Sequence, residues 1–228
     1  MPHDELSEIS ARYARRTDNR VYSMLRTEVY LAHQERFAGM VNIVRTHCLL
    51  PPDELKLVDL GCGTGGNLLD FLRIGFAPDN LVGLELLDDR IARARNLVPV
   101  AVQLIGGDAV VAPIPDASTD IVFQSVVFSS LLSDDFQVQM ADAMWRWIRP
   151  GGGVLWYDFV YDNPKNPDVR GVPLSRIKAL FPNAKISAKR VTLAPPIARR
   201  ITRFGEFPHH VLHAVPFLRT HLLAWIEK

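Results

Sequence analysis

The stretch Val58-Asp59-Leu60-Gly61-Cys62-Gly63-Thr64-Gly65-Gly66-Asn67 decides the fold. Gly61, Gly63 and Gly66 have the spacing G-x-G-x-x-G. An apolar run precedes them and a helical pattern follows. In that setting backbone N–H groups at a helix N-terminus can cradle a polar cofactor. Glycine is required where φ is positive or where a ligand must lie against the backbone. A bare tight turn is the alternative, and the strand–loop–helix context argues against it.

Working outward, strands and helices alternate. Residues 55–60 read as a strand and 67–73 as a helix ending near Gly75. A second strand is predicted over 81–86, then a helix over 88–96 capped by aspartate. Further strands are predicted over 101–105, 120–123 and 154–159. A helix over 134–148 is stopped by Pro150-Gly151-Gly152. Residues 173–181 read as a helix, and 185–193 alternate like a strand. This order implies an α/β, Rossmann-like fold: a mostly parallel seven-stranded sheet with helices on both faces. We expect a helical cap over 1–50, a cofactor-binding core over 51–193, an insertion or lid over 194–217, and a final strand over 218–228 returning to the sheet. The cap mixes Arg12, Arg15, Arg16 and Arg20 with Tyr13 and Tyr22.

The bulk numbers fit this reading. The chain has 228 residues, enough for one substantial core. Hydrophobic residues make up 48%, which argues against disorder, and the net charge of +1 gives no pointer to nucleic acid. Two cysteines, Cys48 and Cys62, form no disulfide framework. A reducing, cytoplasmic setting is expected. No stretch approaches the roughly 18 apolar residues of a membrane span, and the N-terminus lacks the apolar run of a signal peptide.

Glu85 closes the second strand, 24 residues beyond Gly61, where a carboxylate can accept ribose hydroxyls. On these features alone, a nicotinamide or flavin cofactor remains a competitor. Further motifs separate the two. The run VDLGCGTGG, with Asp59 two residues before Gly61, resembles the first motif of class I S-adenosylmethionine-dependent methyltransferases. Gly83-Leu84-Glu85 followed by Asp88 resembles the second, and Gly107-Asp108-Ala109 the third. The stretch 113–120 resembles the family's segment before strand four, with Thr119 in place of the usual aromatic. Arg149-Pro150-Gly151-Gly152 resembles the turn before strand five. The resemblance covers about residues 55–160.

It implies S-adenosyl-L-methionine as cofactor and S-adenosyl-L-homocysteine as product. Expected cofactor contacts are Asp59, Gly61, Cys62, Gly63, Asn67, Glu85, Leu86, Asp108, Ala109, Gln124, Ser125 and, from the cap, Tyr22. Asp108 would meet the adenine amino group. Gln124 and Ser125, expected just after strand four, would meet the methionine end. The physics agrees, because Asp59 can pair with the cofactor's ammonium, whereas a pyrophosphate disfavours a carboxylate so close. Tyr13 and Arg26 are further cap residues able to close over the cofactor and exclude water.

Methyl transfer is a direct displacement that mainly needs positioning, although a hydroxyl acceptor also needs a base. Asp158, ending strand five, is the candidate base on the rim where open α/β sheets bind ligands. Tyr161, Asn163 and Arg170, in the loop over 161–171, are candidate acceptor contacts. No Cys/His spacing resembles a metal site, and His209, His210 and His213 read as surface or lid residues. Lys189, Arg190, Arg199, Arg200 and Arg203 form a basic run with no acid between. The stretches over 156–182 and 190–200, the later FLRTHLLAWI, the RYARR of the cap and Glu35-Arg36 are similar to a bacterial methyltransferase subgroup found among genes for surface-polysaccharide or glycan assembly. That implies a sugar, glycan or related small-molecule acceptor, with an N- or O-methylated natural product as the alternative.

Overall fold

The computed structural model describes residues 2–15, 22–164 and 166–228. Arg16, Arg20 and Lys165 lie outside these residues. Helices α1 (Pro2–Ala14) and α2 (Thr27–His47) come first. There follow β1 (Leu57–Leu60), α3 (Gly66–Ile74), β2 (Leu81–Glu85), α4 (Asp88–Leu97), β3 (Gln103–Gly106), β4 (Thr119–Ser125), α5 (Asp134–Trp147) and β5 (Ile148–Phe159). The chain closes with α6 (Leu174–Leu180), β6 (Lys185–Leu193), α7 (Pro195–Ile201), α8 (Glu206–His213) and β7 (Arg219–Glu227).

The seven strands form one sheet in the order β3-β2-β1-β4-β5-β7-β6. The pairs among β1 to β5 are parallel, and β7 runs antiparallel between β5 and β6. The strand order reverses beside β1, so the crevice between the carboxyl ends of β1 and β4 is the place for a ligand. Alternation of side chains divides the core into two layers. Leu155 and Tyr157 of β5 join Met40 and Val44 of α2, Phe71 of α3 and Trp225 of β7. Trp156, between them, faces the other way, toward Met140, Met144 and Trp147 of α5, Ile177 of α6 and Ile9 of α1. Both layers are built of fully buried aromatic and aliphatic side chains, each contributing about 1.5–3 kcal/mol.

Two local expectations are corrected. The Pro150-Gly151-Gly152 turn does not separate helix from strand: β5 begins at Ile148 and carries these residues as an irregularity in its pairing with β4. Gly152 is needed there because a Cβ would stand 2.4 Å from the Asp120 carbonyl oxygen. Likewise, no aspartate caps α4. Leu87 holds the cap position without a side-chain bond, and Asp88 and Asp89 occupy the first helical turn, where carboxylates favour the helix dipole.

Candidate cofactor and acceptor site

The loop after β1 is held by its own backbone and by Glu85. Cys62 N–H donates to Leu84 O (2.9 Å), tying the loop to β2. Gly61 has φ +67°, and a Cβ there would stand 2.6 Å from Val127 Cγ2, so only glycine fits. The Glu85 carboxylate is 6% exposed and accepts from Gly63 N–H through Oε2 and from Leu87 N–H through Oε1, both at 2.9 Å. Glu85 therefore clasps the glycine loop to the start of α4. Its place at the end of β2 leaves it beside the loop that the sequence pointed to.

Asp59 is 0% exposed, and neither carboxylate oxygen has a hydrogen-bond partner. Burial pushes its carboxyl well above the usual range; Arg36 opposes this, the Glu85 charge adds to it, and the Asn67 side chain, close by but outside hydrogen-bond geometry, lowers it. Buried polar atoms are nearly always satisfied, so an orphaned carboxylate beside a glycine loop calls for a cationic ligand group. Two more unpartnered buried atoms come from α2: Arg36 Nε and His33 Nδ1. Arg36 donates from Nη1 to Ser125 Oγ (3.1 Å), and its Nη2 lies 3.4 Å from Asp70 Oδ2. His33 Nε2 sits 2.9 Å from the same Asp70 oxygen. Asp70 is itself buried on α3.

Acid, guanidinium and imidazole thus meet on the α2 side of the loop. This donor set fits the zwitterionic methionine end of S-adenosylmethionine: ammonium toward Asp59, carboxylate toward Arg36. Sequence reading noted Arg36 only as part of the subgroup likeness, with no role at the loop, and missed His33. The only signal was a charged run on an amphipathic helix, which reads as a solvated face.

The remaining expected contacts divide. Asp108 is half-buried, and its Oδ1 accepts from Val110 N–H (2.9 Å), capping the short turn that Ala109 begins. Leu86 packs partly buried against the α5 layer. Cys62 is buried and its thiol is pushed up by that burial. Gln124 and Ser125 lie within β4, not after it. Gln124 is turned inward, accepting from Val127 N–H (3.1 Å) and donating to Tyr157 O (3.4 Å), so it braces the turn. Tyr22 is 71% exposed. Tyr13 closes in from the cap instead: Arg90 of α4 lies over its ring at 4.4 Å, and a Cβ on Gly63 would meet Arg90 at 3.9 Å. The cap is fixed by Arg12, which bonds Glu5 (2.7 Å) and Ser130 O (3.1 Å).

Asp158 is corrected most. It is 0% exposed, and its carboxylate accepts from Ser129 N–H (3.1 Å) and Phe159 N–H (2.9 Å). Burial raises its pKa to about 7 against these bonds. It faces the α5 layer, on the opposite side of the sheet from Tyr157 and Asp59, and ties β5 to the turn after β4. Arg170 pairs with Asp134 at the start of α5, while its backbone N–H donates to Ser129 O (2.8 Å). It anchors the 161–171 loop and does not reach into a cleft. Tyr161 is half-exposed, with Arg190 over its ring at 4.9 Å. Asn163 turns the same loop, its carbonyl accepting from Asn166 N–H (2.9 Å). Among the three lid histidines, His209 is buried and stacks on His213, which bonds Glu35 at 2.6 Å. Among the described residues, no group of three or more potential ligands could hold a metal ion. No described helix is long and apolar enough to cross a membrane.

Comparison with known proteins follows this geometry. A family model described as a methyltransferase domain matches residues 57–152. Curated protein sequences gave no match. Among solved structures, an S-adenosylmethionine-dependent methyltransferase from Mesorhizobium loti is similar with TM-score 0.60 and 16% identity, over 83% of this chain and 98% of that one. An Archaeoglobus fulgidus methyltransferase is similar with TM-score 0.59 and 12% identity, over 87% and 98%. Geranyl diphosphate C-methyltransferase from Streptomyces coelicolor is similar with TM-score 0.61 and 12% identity, over 84% and 77%. Residues 57–152 thus match a methyltransferase domain, and the chain shares its fold with solved S-adenosylmethionine-dependent methyltransferases.

Proposed function

We propose that this chain methylates an oxygen of a sugar, glycan or related small acceptor. The observation that carries the cofactor half is the buried, unpartnered Asp59 carboxylate beside Arg36. A dinucleotide offers no ammonium to satisfy it. Bound S-adenosylmethionine supplies an activated methyl group on a positive sulfur. The chain's own residues bind and orient. Asp59 neutralises the ammonium, Arg36 meets the carboxylate, and the Glu85 clasp keeps the loop N–H groups in place for the cofactor and offers its free lone pairs to ribose hydroxyls. In this reading Asp108, whose Oδ1 is taken by Val110 N–H, accepts from the adenine amino group through its second oxygen. Tyr13 and Arg90 cover the loop and exclude water.

The acceptor half rests on the sequence likeness to a glycan-cluster subgroup and on the rim. Tyr161 offers a half-exposed aromatic surface on which a sugar ring can stack. Asn163 and the polar loop around it add hydrogen-bonding groups. Rate in such a site comes chiefly from holding acceptor and methyl donor in line. Asp158 then acts as a positioning residue, because its carboxylate braces the turn after β4.

The test is a screen of sugars, nucleotide sugars and glycan fragments with methyl-labelled cofactor, with products read by mass spectrometry. A methyl ether on a sugar oxygen supports the reading. Transfer only to amines or to non-sugar natural products overturns the acceptor assignment and leaves the methyltransferase intact.

A further inference from the structure

The segment between β6 and β7 has its polarity inverted. A surface helix ordinarily turns its apolar stripe inward. In α8 the inner face carries His209, which is buried, and His213, which bonds Glu35. The outer face carries Phe207, 78% exposed, with Val211 one turn on. Phe204, just before α8, is 78% exposed, and Phe217, just after it, is 76% exposed. Three phenylalanines in water within one short segment exceed the scattered apolar exposure of an ordinary surface.

The charge on the same segment is mostly positive. Arg199, Arg200 and Arg203 are exposed, and among the described residues none of them makes a salt bridge within 4 Å, although Arg199 lies near enough to Glu28 to lower its pKa. Glu206 is the only acid between residues 194 and 217. Exposed phenylalanines flanked by exposed arginines are the pattern of an element lying in an anionic lipid interface: rings enter the acyl boundary and guanidinium groups meet phosphates.

We propose that residues 195–217 dock this protein peripherally on an anionic lipid surface, with Phe204, Phe207 and Phe217 inserted and Arg199, Arg200 and Arg203 on the headgroups. The inner face of the segment packs on α2 and β6, so docking leaves the cofactor loop untouched. Guanidinium groups favour a phosphate-bearing surface over a second copy of this chain, whose matching face would be equally basic.

The test is sedimentation of the full chain with sucrose-loaded vesicles of phosphatidylcholine alone and of phosphatidylcholine with phosphatidylglycerol. The protein is expected to pellet with the anionic vesicles, to be released by salt, and to stay in solution with the neutral ones. F204S/F207S/F217S and R199E/R200E/R203E should each lower the partition coefficient by about tenfold or more. Thermal melting and cofactor affinity, measured on both variants, should match the parent and so exclude unfolding. Equal pelleting of parent and variants overturns the proposal, as does no pelleting with anionic vesicles. A parent dimer in light scattering that becomes monomeric in F204S/F207S/F217S, without lipid binding, assigns the face to a second copy and also overturns it.

Discussion

Replacing Asp59 with asparagine separates what this residue does for folding from what it does for the cofactor. The side chain is fully buried with both oxygens unpartnered. An unsatisfied buried polar group costs about 1–3 kcal/mol, more if charged. Asparagine keeps the shape and removes the charge, so the cofactor-free variant should be more stable than the parent by about 1 kcal/mol at neutral pH. In a chain of this size that raises Tm by about 2–4 °C. The gain must depend on pH. The folded-state pKa of Asp59 is raised above its ordinary 3.8. Between the two values the folded state binds more protons than the unfolded state, so parent stability falls as pH rises above about 4. The variant lacks this component, and its advantage should grow from acid toward neutral pH. Cofactor affinity moves the other way. Loss of one charged hydrogen bond costs about 1.5–3 kcal/mol, or roughly 10- to 150-fold in Kd. Urea unfolding across pH and calorimetric titration give both numbers. An asparagine variant that is less stable without cofactor, yet binds it as the parent does, would refute a carboxylate held in readiness for an ammonium.

Three further substitutions probe the same frame. Glu85→Ala releases the N–H groups of Gly63 and Leu87, so it should lower cofactor-free stability by about 2–4 kcal/mol as well as weaken cofactor binding; unchanged urea unfolding would remove the clasp. Arg36→Gln should raise the Kd of S-adenosylmethionine tenfold or more and weaken 5′-methylthioadenosine, which lacks the amino-acid end, much less; equal losses for both would take Arg36 off the carboxylate. Asp158→Asn should make the fall in parent stability between pH about 4 and about 7 shallower, leaving the Asp59 component, because the folded-state value of about 7 lies above the ordinary 3.8. Its pH–rate profile should keep the parent shape, and loss of a limb would return Asp158 to the role of base.

The periodic parts of the fold were legible from residues alone. β6 matches its alternating run over 185–193, and α3 stops at Gly75, whose φ is +113°. β5 was misread because Pro150, Gly151 and Gly152 are turn residues in every local sense. Pairing of Gly151 N–H with Lys228 O and of Lys228 N–H with Gly152 O draws them into the sheet, and those partners lie at the far end of the chain. In the candidate site, the glycine loop with Asp59 and Glu85 could be proposed from the sequence because its spacing is local. Arg36 and His33 could not, because it is the packing of α2 that brings them to Ser125 and Asp70, far along the sequence. Asp158 shows the converse error. Its position at the end of a strand was right, but strand alternation turns it to the side away from Asp59, a distinction of one residue.

Calorimetric titration of the purified chain with S-adenosylmethionine and, separately, with NADH tests the central claim most directly. We predict that S-adenosylmethionine binds with a saturable heat that Asp59→Asn diminishes. NADH should give no binding heat. Tight binding of NADH without binding of S-adenosylmethionine would contradict the account.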